Sequence, residues 1–291
     1  MSSDIRAEIR TVGVLGAGTM GNGIAQAFAA AGYPVVMRDL KREYVDRGIA
    51  TIAKSLERLS ARGKLPADAR DATLARIRPT TNIEDLAPCD VVVEAVLENY
   101  ELKADIIRTL DLICSEKVIF ATNTSSISVT QIAAASRRPD RVIGMHFFNP
   151  VPMMQLVEVV RALQTSDAAC AAVVALVDSL GKKARVSKDS YGFVVNRVLI
   201  PMINEAINCV YEGLASPEDI DSMMKLGANH PMGPLSLADL IGLDVGLDIM
   251  ETLYQGFDDP KFRPSPLLKQ MCHAGYLGRK KGRGFFTYPA A

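Results

Sequence analysis

The chain has 291 residues, 48% of them hydrophobic and 23% charged, a size and composition that point to a globular protein of about two domains. Its 33 basic and 33 acidic residues cancel, which argues against a nucleic-acid or membrane-surface partner. No apolar run approaches the ~20 residues of a membrane span, and the charged start, Met1 to Arg10, lacks the apolar stretch of a secretory signal.

Thr11 to Leu15 reads as a buried strand, and Gly16 to Gly21 as a glycine-rich turn. Met20, Ile24, Ala27, Phe28 and Ala31 then recur at helical spacing until Gly32. Val35 to Arg38 is a second strand. Lys41 to Arg62 is a long charged helix, and Ala67 to Ala75 is another after a Gly-Lys-Leu-Pro break. These two read as a helical hairpin inserted between strands, with a mostly solvated face. Strand patterns return at Ile77 to Pro79, Val91 to Glu94, Val118 to Thr122 and Val142 to His146, with helices fitting between the last three. That alternation predicts βαβ units and a mostly parallel, Rossmann-type sheet. The link from His146 to Leu156 is too short for a crossover helix, so the strand carrying Glu158 is expected to run antiparallel to its predecessor. Asp167 to Leu180 reads as a helix and Lys183 to Val186 as a strand.

After residue 188 the pattern is helical: Phe193 to Tyr211, Pro217 to Leu226, Leu235 to Ile241, Val245 to Leu253 and Pro266 to Ala274, with a strand only at Phe285-Phe286. The expected fold is therefore α/β, with a dinucleotide-binding domain over 1–188 and an all-helical domain over 189–291. Cys89, Cys114, Cys170, Cys209 and Cys272 are scattered, odd in number and without a CxxC spacing. They read as buried free thiols of a reducing cytoplasm, and no disulfide or metal site is expected.

Gly16-Ala17-Gly18-Thr19-Met20-Gly21 matches GxGxxG between a strand and a helix. Such glycines permit a tight turn and close approach of backbone to a pyrophosphate, which the helix N-terminus then receives. Asp39 ends the next strand, 18 residues after Gly21, the spacing of a ribose-binding carboxylate. It favours NAD over NADP, although Arg38, Lys41 and Arg42 stand nearby. His146 closes an apolar run, and Glu158 lies within the next one. A neutral histidine held by a carboxylate is a general base suited to oxidising an alcohol at neutral pH. Ser125, in Asn123-Thr124-Ser125-Ser126, reads either as a substrate-oxygen ligand at the carboxyl end of the sheet or as part of a helix cap near Ile127. Asn196, on an otherwise apolar helix, needs a partner that is either substrate or backbone. His230, in a turn, and His273, near a helix end, read as structural or surface residues.

The chain resembles the L-3-hydroxyacyl-CoA dehydrogenases, above all the bacterial 3-hydroxybutyryl-CoA branch. The likeness runs through GAGTMGNGIAQ from Gly16, EAVLEN from Glu94, NTSSISV from Asn123, HFFNPVPMMQLVEVV from His146, GFVVNR from Gly192, HPMGPLSLADLIGLD from His230 and GRKKGRGFFTY from Gly278. It implies reversible, NAD-dependent oxidation of (S)-3-hydroxyacyl-CoA by a homodimer that pairs through its helical domain, and a place in fatty-acid metabolism. His146 is implied as base and Glu158 as its orienting carboxylate, with Ser125 and Asn196 on the substrate oxygen. Gly16, Gly18, Thr19, Met20, Gly21 and Asp39 are implied as adenosine and pyrophosphate contacts. Glu98, Lys103, Asn149 and Lys280 are implied around the nicotinamide half. Ser55 matches the segment that grips the CoA tail, with Arg62 or Lys64 as the basic contact to its phosphates. A sugar-acid dehydrogenase of the L-gulonate type shares this scaffold, and a non-catalytic dinucleotide-binding protein would keep the fold without the base.

Overall fold

The computed structural model describes residues 9–63 and 66–289, without the side chains of residues 67 and 68. Most of the charged N-terminal segment, and Lys64, fall outside the described residues. The chain divides into two compact units, one ending at Ser190 and the other starting at Tyr191. The division falls just past the 188 boundary because Asp189 is anchored to the first unit. Its carboxylate accepts from the Ser128 hydroxyl (2.6 Å) and from the backbone N–H groups of Val129 and Thr130 (3.1 and 2.8 Å).

The first unit carries eight strands: β1 (Val12–Leu15), β2 (Val35–Arg38), β3 (Ile77–Thr80), β4 (Val91–Glu94), β5 (Ile119–Thr122), β6 (Val142–Phe147), β7 (Leu156–Arg161) and β8 (Lys183–Lys188). They form one sheet in the order β3-β2-β1-β4-β5-β6-β7-β8. All neighbours pair in parallel except β6 and β7, which are antiparallel as the short link requires. β1, β4 and β5 are buried along their whole length, which explains their unbroken apolar runs. The helices are α1 (Thr19–Ala30), α2 (Arg42–Ala61), α3 (Ala67–Ala75), α4 (Tyr100–Ile113), α5 (Val129–Ala133) and α6 (Asp167–Ser179). α2 and α3 lie between β2 and β3 in the chain, the expected hairpin. α2 is amphipathic, burying Val45, Gly48, Ile52 and Leu56. Phe28 of α1 meets Phe147 of β6 edge-on, with ring centroids 6.4 Å apart, so the first helix packs on the strand that carries His146.

The second unit contains α7 (Val195–Tyr211), α8 (Pro217–Gly227), α9 (Pro234–Ile241), α10 (Leu243–Phe257) and α11 (Pro266–His273) around Ile203, Ile207, Leu243, Met250 and Leu253. Phe285-Phe286 does not form the strand its sequence allows. The carboxylate of buried Asp239 takes both of their N–H groups (3.0 and 2.9 Å) and the Tyr288 hydroxyl (3.0 Å). Only isolated bridges, Gly278 to Arg283 and Arg283 to Thr287, remain there. The thiols also depart from expectation: Cys89, Cys114 and Cys170 are buried, but Cys209 and Cys272 are half-buried. Burial, aided by the neighbouring Cys114, pushes the Cys89 thiol up to about 12. Among the described residues no helix is long and apolar enough to cross a membrane.

Gly144 sits directly opposite Val160 in the β6–β7 ladder. A Cβ there would lie 2.8 Å from Val160 Cβ and 3.2 Å from Val129 Cγ2. Gly144→Ala is therefore expected to destabilise the protein by ~1–3 kcal/mol through overpacking, read as a lower urea midpoint with an unchanged slope.

Candidate active site

The sheet order reverses between β1 and β4, and open α/β sheets bind ligands in the crevice at such a point. The Gly16 turn fills its near edge. Gly16 has φ +104° and lies against the Ala95 carbonyl, so an added Cβ would strike backbone at 2.5 Å. Gly21 faces the Gly16 carbonyl with no room for a side chain at all. The turn is thus closed by two glycines, and α1 begins at Thr19 with no side-chain cap on its first N–H groups. Those groups border a cleft of about 620 Å³ that also involves Gly18, Met20, Asp39, Leu97 and Ile106. Its apolar walls and uncapped helix start fit a dinucleotide.

Asp39 is fixed from the turn itself: the Ala17 N–H donates to Oδ2 (2.7 Å) and the Leu40 N–H to Oδ1 (2.6 Å). Each oxygen keeps a second lone pair for a ribose hydroxyl. The three nearby cations have other partners. Arg38 Nε donates to the Thr81 carbonyl (3.2 Å), Arg42 pairs with Asp46 (2.7 Å), and Lys41 lies over the Tyr44 ring.

Toward the carboxyl end of β6, three strands along from β1 and parallel to it, His146 and Glu158 are direct partners in the antiparallel ladder, so their side chains share a face. His146 Nδ1 and Glu158 Oε2 are 2.8 Å apart, and both residues are almost wholly buried. With Nδ1–H donating to the carboxylate, the ring carries its lone pair on Nε2. The Asn123 side chain accepts from the Phe147 N–H at 2.9 Å, tying the carboxyl ends of β5 and β6 together. Ser125 follows that anchor, so it leaves the same end of the sheet as His146.

Ser125 is not the helix cap. Ser128 takes that role for α5, accepting from Gln131, while the 124–126 turn is gathered on Glu98. Glu98 Oε1 accepts from the Thr124 hydroxyl (2.6 Å), from the N–H groups of Ser125 and Ser126 (2.9 and 3.1 Å) and from the Ser126 hydroxyl (3.0 Å). Burial alone would raise the Glu98 pKa, but the Lys103 ammonium and these donors outweigh it and hold the carboxyl below its ordinary 4.5. Lys103 is buried, with its ammonium bonded to Glu94 and Glu98.

Asn149 is exposed in the link between β6 and β7 and borders a second cleft, of about 420 Å³, beside α2. Arg47, Thr51, Ser55 and Arg58 line its α2 side at helical spacing. Gly48 allows this approach, since a Cβ there would meet the Ala17 carbonyl at 2.9 Å. Arg62 does not line the cleft; it caps the C-terminus of α2, two turns beyond Ser55. The basic groups that line this cleft with Ser55 are Arg47 and Arg58, which charge alone does not distinguish from the other α2 arginines.

The remaining expected residues lie in the second unit. Asn196 is buried in the first turn of α7, and Lys280 is bound by both oxygens of Asp244 (2.6 Å each). His230 lies in the turn after α8 and His273 is exposed at the end of α11. Sequence reasoning missed Glu94 and Lys182. For Glu94 the signal was a carboxylate closing the apolar strand Val-Val-Val-Glu; the burial of Lys182 has no signal in the sequence.

Two family models cover nearly the whole chain: "3-hydroxyacyl-CoA dehydrogenase, NAD binding domain" matches residues 11–190, and "3-hydroxyacyl-CoA dehydrogenase, C-terminal domain" matches residues 192–288. A probable 3-hydroxybutyryl-CoA dehydrogenase of Deinococcus radiodurans is 55% identical over 276 residues, 95% of this chain and 99% of that protein. The 3-hydroxybutyryl-CoA dehydrogenase of Bradyrhizobium diazoefficiens is 49% identical over 285 residues, 98% of this chain and 97% of its own length. Among solved structures, (S)-3-hydroxybutyryl-CoA dehydrogenase PaaH1 from Ralstonia eutropha superposes with a TM-score of 0.94 at 57% identity, covering 97% of this chain and all of the other.

The lowered Glu98 pKa has a pH signature. Between its folded value and 4.5 the unfolded chain binds the extra proton, so the stability Glu98 contributes is complete above 4.5 and lost as pH falls through the folded value. Melting temperatures measured from pH 6 down to pH 3 should fall less steeply for Glu98→Gln than for wild type; parallel slopes would count against this account of the turn.

Proposed function

The chain belongs to the 3-hydroxyacyl-CoA dehydrogenase family and is an oxidoreductase with a nicotinamide dinucleotide cofactor, and from that premise we propose that it reversibly oxidises (S)-3-hydroxyacyl-CoA to 3-oxoacyl-CoA. 3-Hydroxybutyryl-CoA is the preferred substrate and NAD the acceptor. The observation that carries the reading is the buried His146–Glu158 hydrogen bond on neighbouring antiparallel strands.

When bound, the nicotinamide ring supplies a two-electron acceptor for the hydride on C3 of the substrate. His146 takes the C3 hydroxyl proton at Nε2 and returns it in the reverse direction. Glu158 fixes the tautomer this needs and stabilises the imidazolium that forms. Ser125 and Asn196 are assigned to the C3 oxygen, Asn196 on the family likeness alone. Asp39, engaged by the glycine turn, accepts from the ribose and disfavours a 2′-phosphate, and the outside partners of Arg38 and Arg42 support the same choice. Glu98 and Asn149 are assigned to the nicotinamide half, with Lys103 acting through Glu98 and Lys280 included on the likeness alone. Ser55 is assigned to the CoA tail, with Arg47 and Arg58 on its phosphates in place of Arg62. A homodimer through the second unit is included on the family likeness alone. A cytoplasmic place in acyl-CoA metabolism completes the proposal.

His146→Gln, assayed with acetoacetyl-CoA and NADH, is expected to lose ~10²–10⁴-fold in kcat, the usual contribution of a general acid–base group, while NADH affinity holds. Near wild-type turnover would remove the base from the scheme. Arg58→Ala is expected to raise KM for acetoacetyl-CoA by roughly 10-fold through loss of a charge-assisted phosphate contact. KM for the N-acetylcysteamine thioester, which has no phosphate, should not move. An equal rise for both thioesters would show that Arg58 acts on something other than phosphate.

A further inference from the structure

Glu94 closes β4 with a carboxylate that is 1% exposed, and Lys103 of α4 is equally buried. Lys103 Nζ lies 2.9 and 3.0 Å from the two Glu94 oxygens and 3.3 Å from Glu98 Oε2. The Thr122 hydroxyl also donates to Glu94 Oε1, and the Val96 N–H to Oε2 at 3.3 Å. The other oxygen of Glu98 holds the turn over residues 124–126. Two carboxylates and one ammonium are thus joined in series from the floor of the sheet to the turn that carries Ser125.

Such a cluster is a poor means of stabilising a fold. Desolvating the ions costs about as much as their attraction returns, and well-packed apolar side chains commonly do as well. What it does supply is direction. An ammonium held on one side by a fixed carboxylate fixes the second carboxylate on its other side, and an apolar contact has no such geometry. Without Lys103, Glu98 would keep the donors of the turn but lose its only bond to the interior of the sheet among those described.

We propose that Glu94 is a positioning residue for the active site: through Lys103 and Glu98 it sets the place of the 124–126 turn and so of Ser125. The part of this that concerns catalysis rests on the reading of Ser125 as a substrate-oxygen ligand.

The test is the double variant Glu94→Gln/Lys103→Met, which removes the buried Glu94–Lys103 pair together and leaves Glu98, partly exposed, to the donors of the turn. Its melting temperature should stay near wild type. In the cofactor-free protein, amide exchange of Ser125 and Ser126 should quicken by roughly 10-fold or more, a local opening within an otherwise intact fold. Turnover of acetoacetyl-CoA should fall by roughly 10- to 100-fold in kcat with little change in KM, as for a misplaced catalytic group. Unchanged exchange at Ser125 and Ser126 would overturn the proposal. Faster exchange with wild-type kcat would uphold the positioning role and instead sink the assignment of Ser125 to substrate. Should the double variant fail to fold, Glu94→Gln alone carries the test, since it removes the fixed carboxylate while Lys103 keeps Glu98 as its counter-ion and Thr122 keeps its bond to the Thr124 N–H. Faster exchange at Ser125 and Ser126 supports the proposal there too, and wild-type exchange overturns it.

Discussion

The antiparallel pairing of β6 with β7 holds the proposed chemistry together, because a side chain's face on a strand alternates with every residue. In the observed register His146 and Glu158 stand opposite each other. A slip of one residue would send the carboxylate to the other face of the sheet and leave a buried histidine and a buried acid each without its partner. Several devices fix the register. Gly144 gives Val160 room across the ladder. The Asn123 side chain binds the Phe147 N–H at the strand's end. Lys182, buried before β8, donates to the carbonyls of Val151 and Met154, both at 2.7 Å, and so pins the link between the two strands.

Buried charge recurs across the first unit. Glu94, Lys103, Glu158 and Lys182 are all nearly inaccessible to water, and each is bonded to a polar partner. In an apolar setting each bond is stronger than it would be in water, and each unmet group is costlier, so the arrangement is stiff. A stiff array of dipoles and charges is what stabilising charge in a transition state requires, since little reorganisation is then left for the reaction itself. The dinucleotide edge of the sheet is built by other means. There the backbone of the Gly16 turn does the shaping, and Asp39 is set by two N–H groups of that neighbourhood.

The cleft beside α2 illustrates how far helical spacing carries an argument. Ser55 and Arg62 are seven residues apart, two turns, so the spacing puts both on one face. The helix, however, ends at Ala61, and the cleft ends before it. Arg47, Thr51, Ser55 and Arg58 share the same face within the cleft's length, and Gly48 sets that stretch against the glycine turn. Helical spacing relates these residues to one face; which turns of the helix lie along the cleft depends on where α2 meets Ala17, a contact between segments distant in the chain.

Local chemistry was enough to specify most of the elements. The apolar runs, the glycine turn and the helical spacings are properties of a few neighbouring residues, so β2, α3 and β4 end where their sequences indicate, and the short link already required β7 to reverse. The His146–Glu158 pair was legible for the same reason, since a turn between two strands makes a distant contact almost a local one. Tertiary structure alone decided the rest. Glu94, Lys103, Glu98 and Thr122 are joined only because β4, α4 and β5 pack together. Phe285-Phe286 has the composition of a strand, yet the Asp239 carboxylate from α9 takes its N–H groups first. Backbone and ionic groups bond to whatever the fold brings within about 3 Å, and no periodicity in a single segment encodes which partner that will be.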